Sequence, residues 1–360
     1  MKIGILKEHK SGEKRVAIVP STVSALSKKG YEFFLVSDSG LLSNYSDNDY
    51  KDAGAKIISQ NEVFDCDIIC KVNAPSDEEV SLLKSGTLFI SLLQTIKEID
   101  CVRKLADKKV SAFSLNLLPR TTLAQKMDVL SSQANIAGYK AVLIGSNHIG
   151  KYMPLLMTAA GTISPARTLV IGAGVAGLQA IATAKRMGAV VFATDVRMAS
   201  KEQVESLGGK FLTVEGSENL QTEGGYAKEA SDEFKKKQEE LLSETLKKID
   251  IIICTALIPG REAPKIIKEE MFKNLQPGSV IYDLAAVQGG NTAFTEADKI
   301  VEKDGVKILG EANILNNLPV SASNLYAKNV FNFISNLYDK ENKKLNINLE
   351  DEIIEKTLIK

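Results

Sequence analysis

Histidine and cysteine are scarce in this sequence, whose 360 residues include two histidines and four cysteines. Two histidines argue against a His-built zinc site, and the cysteines form no Cys-x-x-Cys pair, so no metal site is expected. Four cysteines in a chain of this length do not make a disulfide framework. The sequence therefore favours a reducing compartment such as the cytoplasm.

Net charge and long apolar runs are also absent. The 45 basic residues balance 45 acidic ones, so bulk electrostatics give no support for nucleic acid as a partner. Apolar runs such as Ile251–Cys254 fall far short of the ~20 residues of a membrane-spanning helix. The N-terminus starts at once with an expected strand, Lys2–Leu6, and lacks the apolar core of a signal peptide.

Short β-rich runs alternate with helical stretches, twice along the chain. The first series of expected strands comprises Lys2–Leu6, Tyr31–Val36, Ala55–Ile58, Cys66–Val72, Thr87–Leu92 and Val110–Leu115, and the second comprises Thr168–Ile171, Val190–Thr194, Lys210–Val214, Ile249–Thr255, Ser279–Asp283 and Val306–Leu309. Such alternation predicts βαβ units whose parallel sheets are covered on both faces. The expected fold class is α/β, with two Rossmann-like, doubly wound parallel-sheet domains and a cleft between them.

The two series are joined by a long helical stretch, 124–152, without a Pro- or Gly-rich linker. After the second series come two segments, Ser323–Leu337 and Leu345–Ile359, that have no sheet of their own to join. We expect them to return to the first lobe. The predicted domains are therefore a discontinuous N-terminal lobe, 1–131 plus 312–360, and a dinucleotide-binding domain, 132–311, each large enough for its own core.

A glycine-rich turn follows the first strand of the second series. Thr168–Ile171 runs straight into Gly172-Ala-Gly174-Val-Ala-Gly177, and a helical segment follows. In G-x-G-x-x-G the first glycine permits the tight turn, the second lets a pyrophosphate approach the backbone, and the third lets helix and strand pack closely. The amides that start the helix then face the phosphates. This order of elements predicts a dinucleotide site.

An acidic residue stands where such a site needs one. Asp195 lies 18 residues beyond Gly177 (195 − 177) at the end of the next strand, and a carboxylate there accepts hydrogen bonds from ribose hydroxyls. Because it repels a 2′-phosphate, NAD(H) is favoured over NADP(H). Arg197, two residues on, reduces that preference slightly.

A polar loop, 215–227, ends in Gly224-Gly225-Tyr226. One interpretation is a hinged lid that closes over a ligand. The other is an idle surface loop, and the residues alone do not separate the two.

Neither histidine is well placed to act as a general acid or base, although a Lys or Asp could serve instead. Dehydrogenases of hydroxy or amino acids move a proton as well as a hydride, and often use His or Lys for it. His9 lies in a polar N-terminal loop and His148 near the end of the connecting helix. We interpret both as ordinary surface or packing residues.

Ten motifs are spread along the chain and fall into two groups. The first group, Lys7-Glu8, Glu13–Ala17, Ile171–Lys185 and Ala193–Arg197, resembles the alanine dehydrogenase/pyridine nucleotide transhydrogenase family. The second group resembles the transhydrogenase branch of that family and comprises Pro119–Gln133, Glu202–Phe211, Gly224–Glu229, Phe234–Gln238, Thr255–Gly260 and Pro277–Ala285. The resemblance covers nearly the whole sequence. The resemblance implies an oxidoreductase that binds NAD(H).

Three positions depart from the dehydrogenase branch. By resemblance, Asn73 replaces a catalytic Lys, Gln94 a catalytic His and Val287 a catalytic Asp. None of the three can exchange a proton near neutral pH. Arg15, which would hold a substrate carboxylate in the dehydrogenase, remains. We interpret it as a structural holdover, with a cryptic acid-binding site as the alternative.

The resemblance also implies the residues of the site. Those expected to contact or order the nicotinamide, with Arg120, Gln125, Asp128 and Ser131 as the catalytic set, are Arg120, Thr121, Thr122, Leu123, Gln125, Asp128 and Ser131. Those expected around the diphosphate and adenosine are Gly172, Ala173, Gly174, Val175, Gly177, Asp195, Val196 and Arg197. Gly225 and Tyr226 would close over the cofactor, with Gln238 and Leu257 nearby.

The function implied is direct hydride transfer between NADH and NADP⁺ on a partner subunit, coupled to proton translocation by other subunits. Implied partners are membrane-spanning and NADP(H)-binding subunits and a second copy of the chain, which places the protein peripherally at the cytoplasmic face of the inner membrane. Two alternatives remain open, an alanine dehydrogenase-like amino-acid dehydrogenase and a non-catalytic NAD-sensing module.

Overall fold

The computed structural model describes residues 1–214, 232–258, 261–339 and 344–359. The strands are β1 Lys2–Ile5, β2 Glu32–Val36, β3 Ala55–Ile58, β4 Ile68–Cys70, β5 Leu88–Ser91, β6 Ser111–Ser114, β7 Leu156–Thr158, β8 Gly161–Ile163, β9 Arg167–Ile171, β10 Val190–Thr194, β11 Lys210–Phe211, β12 Ile251–Cys254, β13 Val280–Asp283, β14 Ile300–Lys303, β15 Val306–Leu309, β16 Tyr338–Asp339 and β17 Lys344–Leu345. The helices are α1 Pro20–Ser27, α2 Asp47–Asp52, α3 Asp77–Leu82, α4 Ile99–Asp107, α5 Val129–His148, α6 Val175–Arg186, α7 Ser200–Ser206, α8 Asp232–Leu246, α9 Pro319–Leu337 and α10 Glu352–Thr357.

The first compact unit comprises Met1–Gln133 and Leu315–Lys360. Its sheet has six parallel strands in the order β3-β2-β1-β4-β5-β6. The C-terminal helix α9 is part of its core, where Val330 and Phe333 belong to the same buried cluster as Ile3 and Ile5. The tail that follows adds an antiparallel bridge between Leu358 and Phe113.

The second unit, Ala134–Ile314, has a seven-stranded sheet in the order β11-β10-β9-β12-β13-β15-β14. All neighbours in this sheet are parallel except β14, which pairs with β15 in antiparallel fashion. The strand order reverses between β9 and β12. In an open parallel sheet the crevice beyond the carboxyl ends of two such strands is where ligands bind.

These two sheets confirm the predicted α/β class. Strands such as β12 are buried along their whole length, because helices cover both faces of the sheet, and this is why their sequences are unbroken apolar runs.

The connecting helix is shorter than the predicted 124–152, which was wrong at both ends. Helix α5 begins at Val129, where the Asp128 carboxylate accepts a bond from the backbone N–H of Ser131 (2.9 Å) and so caps the first turn. It ends at His148, and a hairpin of β7 and β8 follows that the periodicity did not predict. Three-residue strands are too short to show an alternating pattern.

No helix in the described ranges is long and apolar enough to cross a bilayer. Within the same ranges, no three His, Cys, Asp or Glu side chains are grouped so as to hold a metal ion.

Candidate dinucleotide-binding site

The glycine turn between β9 and α6 has two positions, Gly172 and Gly177, where the surrounding atoms leave no room for a side chain. Gly172 has a φ of +92°, and a Cβ there would lie 2.7 Å from the Thr255 hydroxyl oxygen. A Cβ on Gly177 would lie 1.8 Å from the carbonyl oxygen of Gly172. The first and third glycines therefore allow the strand, the turn and the helix to pack at close range.

Gly174 differs from the other two glycines because it faces open space. A Cβ on Gly174 would meet no heavy atom within 4 Å, and its φ of −77° suits any residue. Gly174 is the N-cap of α6, whose first-turn amides have no acceptor inside the helix. A diphosphate fits this combination, since it needs close access to the backbone and accepts hydrogen bonds from such amides.

Asp195 is held by two neighbours at the carboxyl end of β10. Its Oδ2 accepts bonds from the Ala173 amide (2.7 Å) and from Arg197 Nη2 (2.7 Å). Its Oδ1 accepts bonds from the Arg197 backbone amide and Nε, both at 2.8 Å. Burial alone would raise the pKa of Asp195, but the bonds from Arg197 and Ala173 outweigh it, and the pKa is lowered.

This pairing bears on the choice of cofactor. The Arg197 guanidinium binds the Asp195 carboxylate through two nitrogens, so its positive charge is largely balanced. Both oxygens of Asp195 already accept two bonds each. Ribose hydroxyls can therefore bind Asp195 only by replacing donors of Arg197, while the Ala173 amide is directed at Asp195 rather than at a phosphate.

Gln238, which lies far from the turn in sequence, is brought close to Asp195. The two residues line one small surface depression together with Met198 and Phe211–Val214. Its walls come from the ends of β10 and β11 and from α8. The lining of the depression thus combines apolar side chains with one carboxylate and one carboxamide.

The loop after β12 is tied to the glycine turn. Thr255 Oγ1 donates to the carbonyls of Ile171 (3.1 Å) and Gly172 (2.9 Å). Leu257, two residues on, is exposed. Sequence reasoning missed Thr255, although a polar residue directly after the buried strand beside the fingerprint strand is a signal that could have identified it.

In the first unit, the segment 120–128 forms a turn that is held in place by buried side chains and by hydrogen bonds from α9. Ala124 and Met127 are buried, and the carbonyl of Lys126 accepts bonds from the amides of Asn329 (3.0 Å) and Asn332 (2.9 Å) on α9. The predicted residues on this turn face outward: Arg120, Thr122 and Gln125 are exposed, Thr121 is half-buried, and Leu123 is 76% exposed. The turn is therefore a fixed platform that presents side chains to solvent.

Asp128 and Ser131 are joined at the start of α5. The Ser131 hydroxyl and backbone amide both donate to the Asp128 carboxylate. Their geometry is that of a helix cap, so the structure gives both residues a structural role in addition to any contact with a ligand.

Arg15 is bound within the first unit. Its Nε and Nη2 donate to the two carboxylate oxygens of Glu13 (2.8 and 2.7 Å), and its Nη1 donates to Gln133 (3.1 Å). Asn73 donates to Glu8 (3.1 Å) and Glu13 (3.0 Å). Arg15 thus carries a bidentate internal partner at the very positions a substrate carboxylate would use.

A buried ion pair, also missed from the sequence, lies beside this group. Lys71 is fully buried and its ammonium donates to both carboxylate oxygens of Glu79 (2.9 and 2.8 Å) and to Nδ1 of His9 (2.7 Å). Burial and the nearby Lys71 ammonium lower the pKa of His9, so the neutral ring accepts a hydrogen bond from Lys71 at Nδ1. His9 is accordingly a packing residue that completes the Lys71 hydrogen bonds.

Gly225 and Tyr226, and with them the two interpretations of the 215–227 loop, lie outside the described residues. The described parts of the site, with a glycine turn at a switch point and an acid after the next strand, define a dinucleotide-binding α/β protein.

Family models agree with this class. A model described as alanine dehydrogenase/PNT, N-terminal domain, matches residues 4–137, and one described as alanine dehydrogenase/PNT, C-terminal domain, matches residues 141–360. The chain belongs to the alanine dehydrogenase/pyridine nucleotide transhydrogenase family, which confirms the resemblance and the oxidoreductase class.

Within the family, the relatives named as transhydrogenases are the more similar ones. The chain is 48% identical to a Rhodospirillum rubrum protein named as the first part of NAD(P) transhydrogenase subunit alpha, over 100% of this chain and 96% of that one. It is 41% identical to NAD(P) transhydrogenase subunit alpha of Haemophilus influenzae (98% and 69%) and 33% identical to an alanine dehydrogenase of Staphylococcus haemolyticus (84% and 76%).

Solved structures give the same order. A crystal structure of a transhydrogenase from Sinorhizobium meliloti is 41% identical, with a TM-score of 0.84 over 93% of this chain and 94% of that one. An L-alanine dehydrogenase structure shares the fold at 24% identity, with a TM-score of 0.82 over 99% and 94%.

Proposed function

We propose that the chain binds NADH and passes a hydride to NADP⁺ held by a partner subunit, and that it also supports the reverse reaction. The observation that carries the proposal is a dinucleotide turn in a chain that lacks three ionisable groups of an amino-acid dehydrogenase. Transfer between two nicotinamide rings adds or removes no proton at carbon, so the protein has only to position the rings and exclude water. Bound NADH supplies the hydride.

The polar group in the first unit supports this reaction over an amino-acid dehydrogenase. A keto acid needs a cation for its carboxylate and a proton donor for its carbonyl. Arg15 is engaged by Glu13, and Asn73, which stands where the dehydrogenase has Lys, donates to Glu8 and Glu13. This arrangement offers a keto acid neither group.

The proposal assigns each end of the cofactor to its own set of residues. The nicotinamide end is assigned, from the resemblance, to Arg120, Thr121, Thr122, Leu123, Gln125, Asp128 and Ser131. The diphosphate and adenosine end is assigned to Gly172, Ala173, Gly174, Val175, Gly177, Asp195, Val196 and Arg197, with Gln238 and Leu257 beside it and Gly225 and Tyr226 closing over it. The open space at Gly174 and the depression shared by Asp195 and Gln238 support the second set.

The proposed partners are an NADP(H)-binding subunit and a membrane-spanning subunit, with proton passage belonging to the latter. Relatives named as one numbered portion of subunit alpha support the idea of separate partner chains. In this assembly the chain sits at the cytoplasmic face of the inner membrane.

Isotope transfer tests the reaction directly. NADH deuterated at the transferable C4 position is mixed with the chain and with the NADP(H)-binding subunit of the same organism loaded with NADP⁺. We expect the deuterium to appear in NADPH, by mass spectrometry, without loss to water. Absence of transfer would favour the NAD-sensing module, and robust NADH oxidation with pyruvate and ammonia would favour the alanine-type dehydrogenase.

Gln125→Ala is expected to slow hydride transfer by about tenfold or more while NADH affinity changes by less than about twofold, because small errors in ring position are costly. Gln125 is exposed on the anchored turn, so its removal leaves the fold intact. Stopped-flow rates and calorimetric affinities separate the two effects. Lys126→Ala, at an exposed neighbour held through its backbone carbonyl, serves as the matched control, and equal rates for Gln125→Ala and wild type would remove Gln125 from the mechanism.

The hairpin of β7 and β8 supports the proposed homodimer. Its strands pair only with each other among the described strands, and it carries an apolar surface with Leu155, Tyr152 and Met157 exposed, Met157 at 83%. Large exposed apolar side chains this close together in the sequence are typical of protein–protein contacts.

Met157→Asp is expected to convert the dimer into a monomer at micromolar concentration, because it places a charge in a desolvated contact. Sedimentation velocity measures the change. Ile96→Asp, at a residue of the first unit that is 74% exposed, is the control and should stay dimeric. A Met157→Asp protein that sediments like wild type would exclude the hairpin from the interface.

A further inference from the structure

We propose that Asn291 is a positioning residue of the dinucleotide site, holding the loop Thr255–Ile258 against the end of β12. The Asn291 carboxamide accepts a bond from the backbone N–H of Ala256 (3.0 Å) and donates to the carbonyl of the same residue (2.9 Å). Its amide also donates to the carbonyl of Pro264 (3.0 Å). A fully buried side chain thus pairs with the loop backbone as a neighbouring strand would.

Asn291 is itself fixed from behind. Its backbone N–H donates to Asp283 Oδ2 (2.6 Å), and its carbonyl accepts from the amides of Ile266 and Ile267 (2.8 and 3.0 Å). Asp283 ends β13, is fully buried, and also accepts the Thr295 hydroxyl (2.6 Å). The Asn291 carboxamide is therefore fixed in position, and its two hydrogen bonds fix the backbone of Ala256 in turn.

The loop it holds forms one side of the crevice at the switch point. Thr255, adjacent to Ala256, donates to the carbonyl of Gly172 in the glycine turn (2.9 Å). Leu257, on the other side of Ala256, is exposed and is a predicted cofactor contact. Asn291 thus acts through Ala256 on two parts of the site, and no contact between Asn291 and the cofactor is needed.

The inference deepens the proposed function and rests on its assignment of NADH to the second unit. If Asn291 orders the loop before NADH binds, then in its absence part of the binding free energy of NADH is used to order the loop. With NADH saturating, the loop is ordered again and the hydride step recovers. The expected signature is a change in affinity with little change in the maximal rate.

Asn291→Ala is expected to weaken NADH binding by about tenfold, since three hydrogen bonds to backbone atoms are lost. The single-turnover rate at saturating NADH should stay within about twofold of wild type. Asn291→Asp keeps the acceptor for the Ala256 amide but turns a carboxylate oxygen toward the carbonyls of Ala256 and Pro264, so it should weaken NADH binding at least as much as Asn291→Ala. Asn274→Ala, which removes one side-chain bond to Ser243 in the same unit, controls for a general loss of stability.

The absence of tryptophan from the chain allows a direct measurement of the loop. Ile258→Trp places a single tryptophan on it, at an exposed position, and Ile96→Trp places one in the first unit as a reference. In the Asn291→Ala background we expect a lower fluorescence anisotropy for the Ile258→Trp protein, restored by NADH, and no change for the reference.

The outcomes separate the inference from the function on which it rests. Wild-type NADH affinity and unchanged loop anisotropy in Asn291→Ala would overturn the positioning role, whatever the exchange assay gives. If Asn291→Ala does not fold, the same comparison is made with Asn291→Ser, whose small hydroxyl group introduces no buried charge. If wild-type protein shows no deuterium transfer, the proposed function fails, while NADH affinity and anisotropy still decide the role of Asn291.

Discussion

Asp195→Ala is expected to lower NADH affinity by about two orders of magnitude and to raise the affinity for NADPH relative to NADH. The substitution removes the acceptor proposed for the ribose hydroxyls, and it leaves the Ala173 amide without its partner. Unsatisfied buried donors and lost charge-assisted bonds of this kind cost about 1–3 kcal/mol each. It also removes the carboxylate that balances the Arg197 guanidinium, and a guanidinium near the proposed ribose position favours a 2′-phosphate.

Calorimetric titrations of both cofactors against a small set of variants measure this effect. Asp195→Ala combined with Arg197→Ala should lose the gain for NADPH while keeping the loss for NADH. Asp195→Asn, which retains one acceptor oxygen, should show a smaller loss. Undiminished NADH affinity in Asp195→Ala would place the ribose elsewhere.

Gly174→Ala and Gly177→Ala are expected to affect different properties, although the two glycines lie three residues apart: Gly174→Ala should reduce NADH affinity, and Gly177→Ala should reduce stability. A methyl group on Gly177 would overlap the carbonyl of Gly172, so Gly177→Ala should lower the melting temperature by about 5–10 °C. A methyl group on Gly174 meets no protein atom, so Gly174→Ala should melt within about 1 °C of wild type. It should nonetheless lose about a hundredfold in NADH affinity, because the methyl group occupies the space proposed for the pyrophosphate.

Differential scanning calorimetry with and without NADH measures both quantities in one experiment. NADH should raise the melting temperature of wild type and leave that of Gly174→Ala almost unchanged. Tight NADH binding by Gly174→Ala would contradict the placement of the diphosphate at this turn. Normal stability of Gly177→Ala would show that the turn can rearrange.

Much of the fold was predictable because its strands carry a local signal. All six strands of the first sheet and β9, β10, β12, β13 and β15 of the second lie within predicted runs or exceed them by one residue, since strands covered on both faces need apolar and β-branched residues throughout. The edge strand β14 and the β7–β8 hairpin were missed. They are short and partly exposed, so burial imposes no pattern on them.

The site was predictable only where its spacing is local. The glycine turn and Asp195 fall within one βαβ unit, whose geometry fixes their separation. Thr255 and Asn291 make contacts that are distant in sequence. Thr255 bonds to Gly172, 83 residues away, and Asn291 bonds to Ala256, 35 residues away. The residues that flank Asn291 in the sequence give no sign that it contacts Ala256, because only the tertiary packing brings these two residues together.

The first unit is assembled from the two extremes of the chain. The hydroxyl of Ser323 accepts a hydrogen bond from the backbone N–H of Val16, which lies 307 residues earlier in the sequence. Helix α9 also packs in the buried cluster that contains β1 residues. During synthesis on the ribosome, the contiguous second unit can close before α9 has emerged, whereas the first cannot. Until translation passes α9, part of one apolar face of the nascent first sheet stays uncovered, and exposed apolar surface of this kind favours binding by a chaperone.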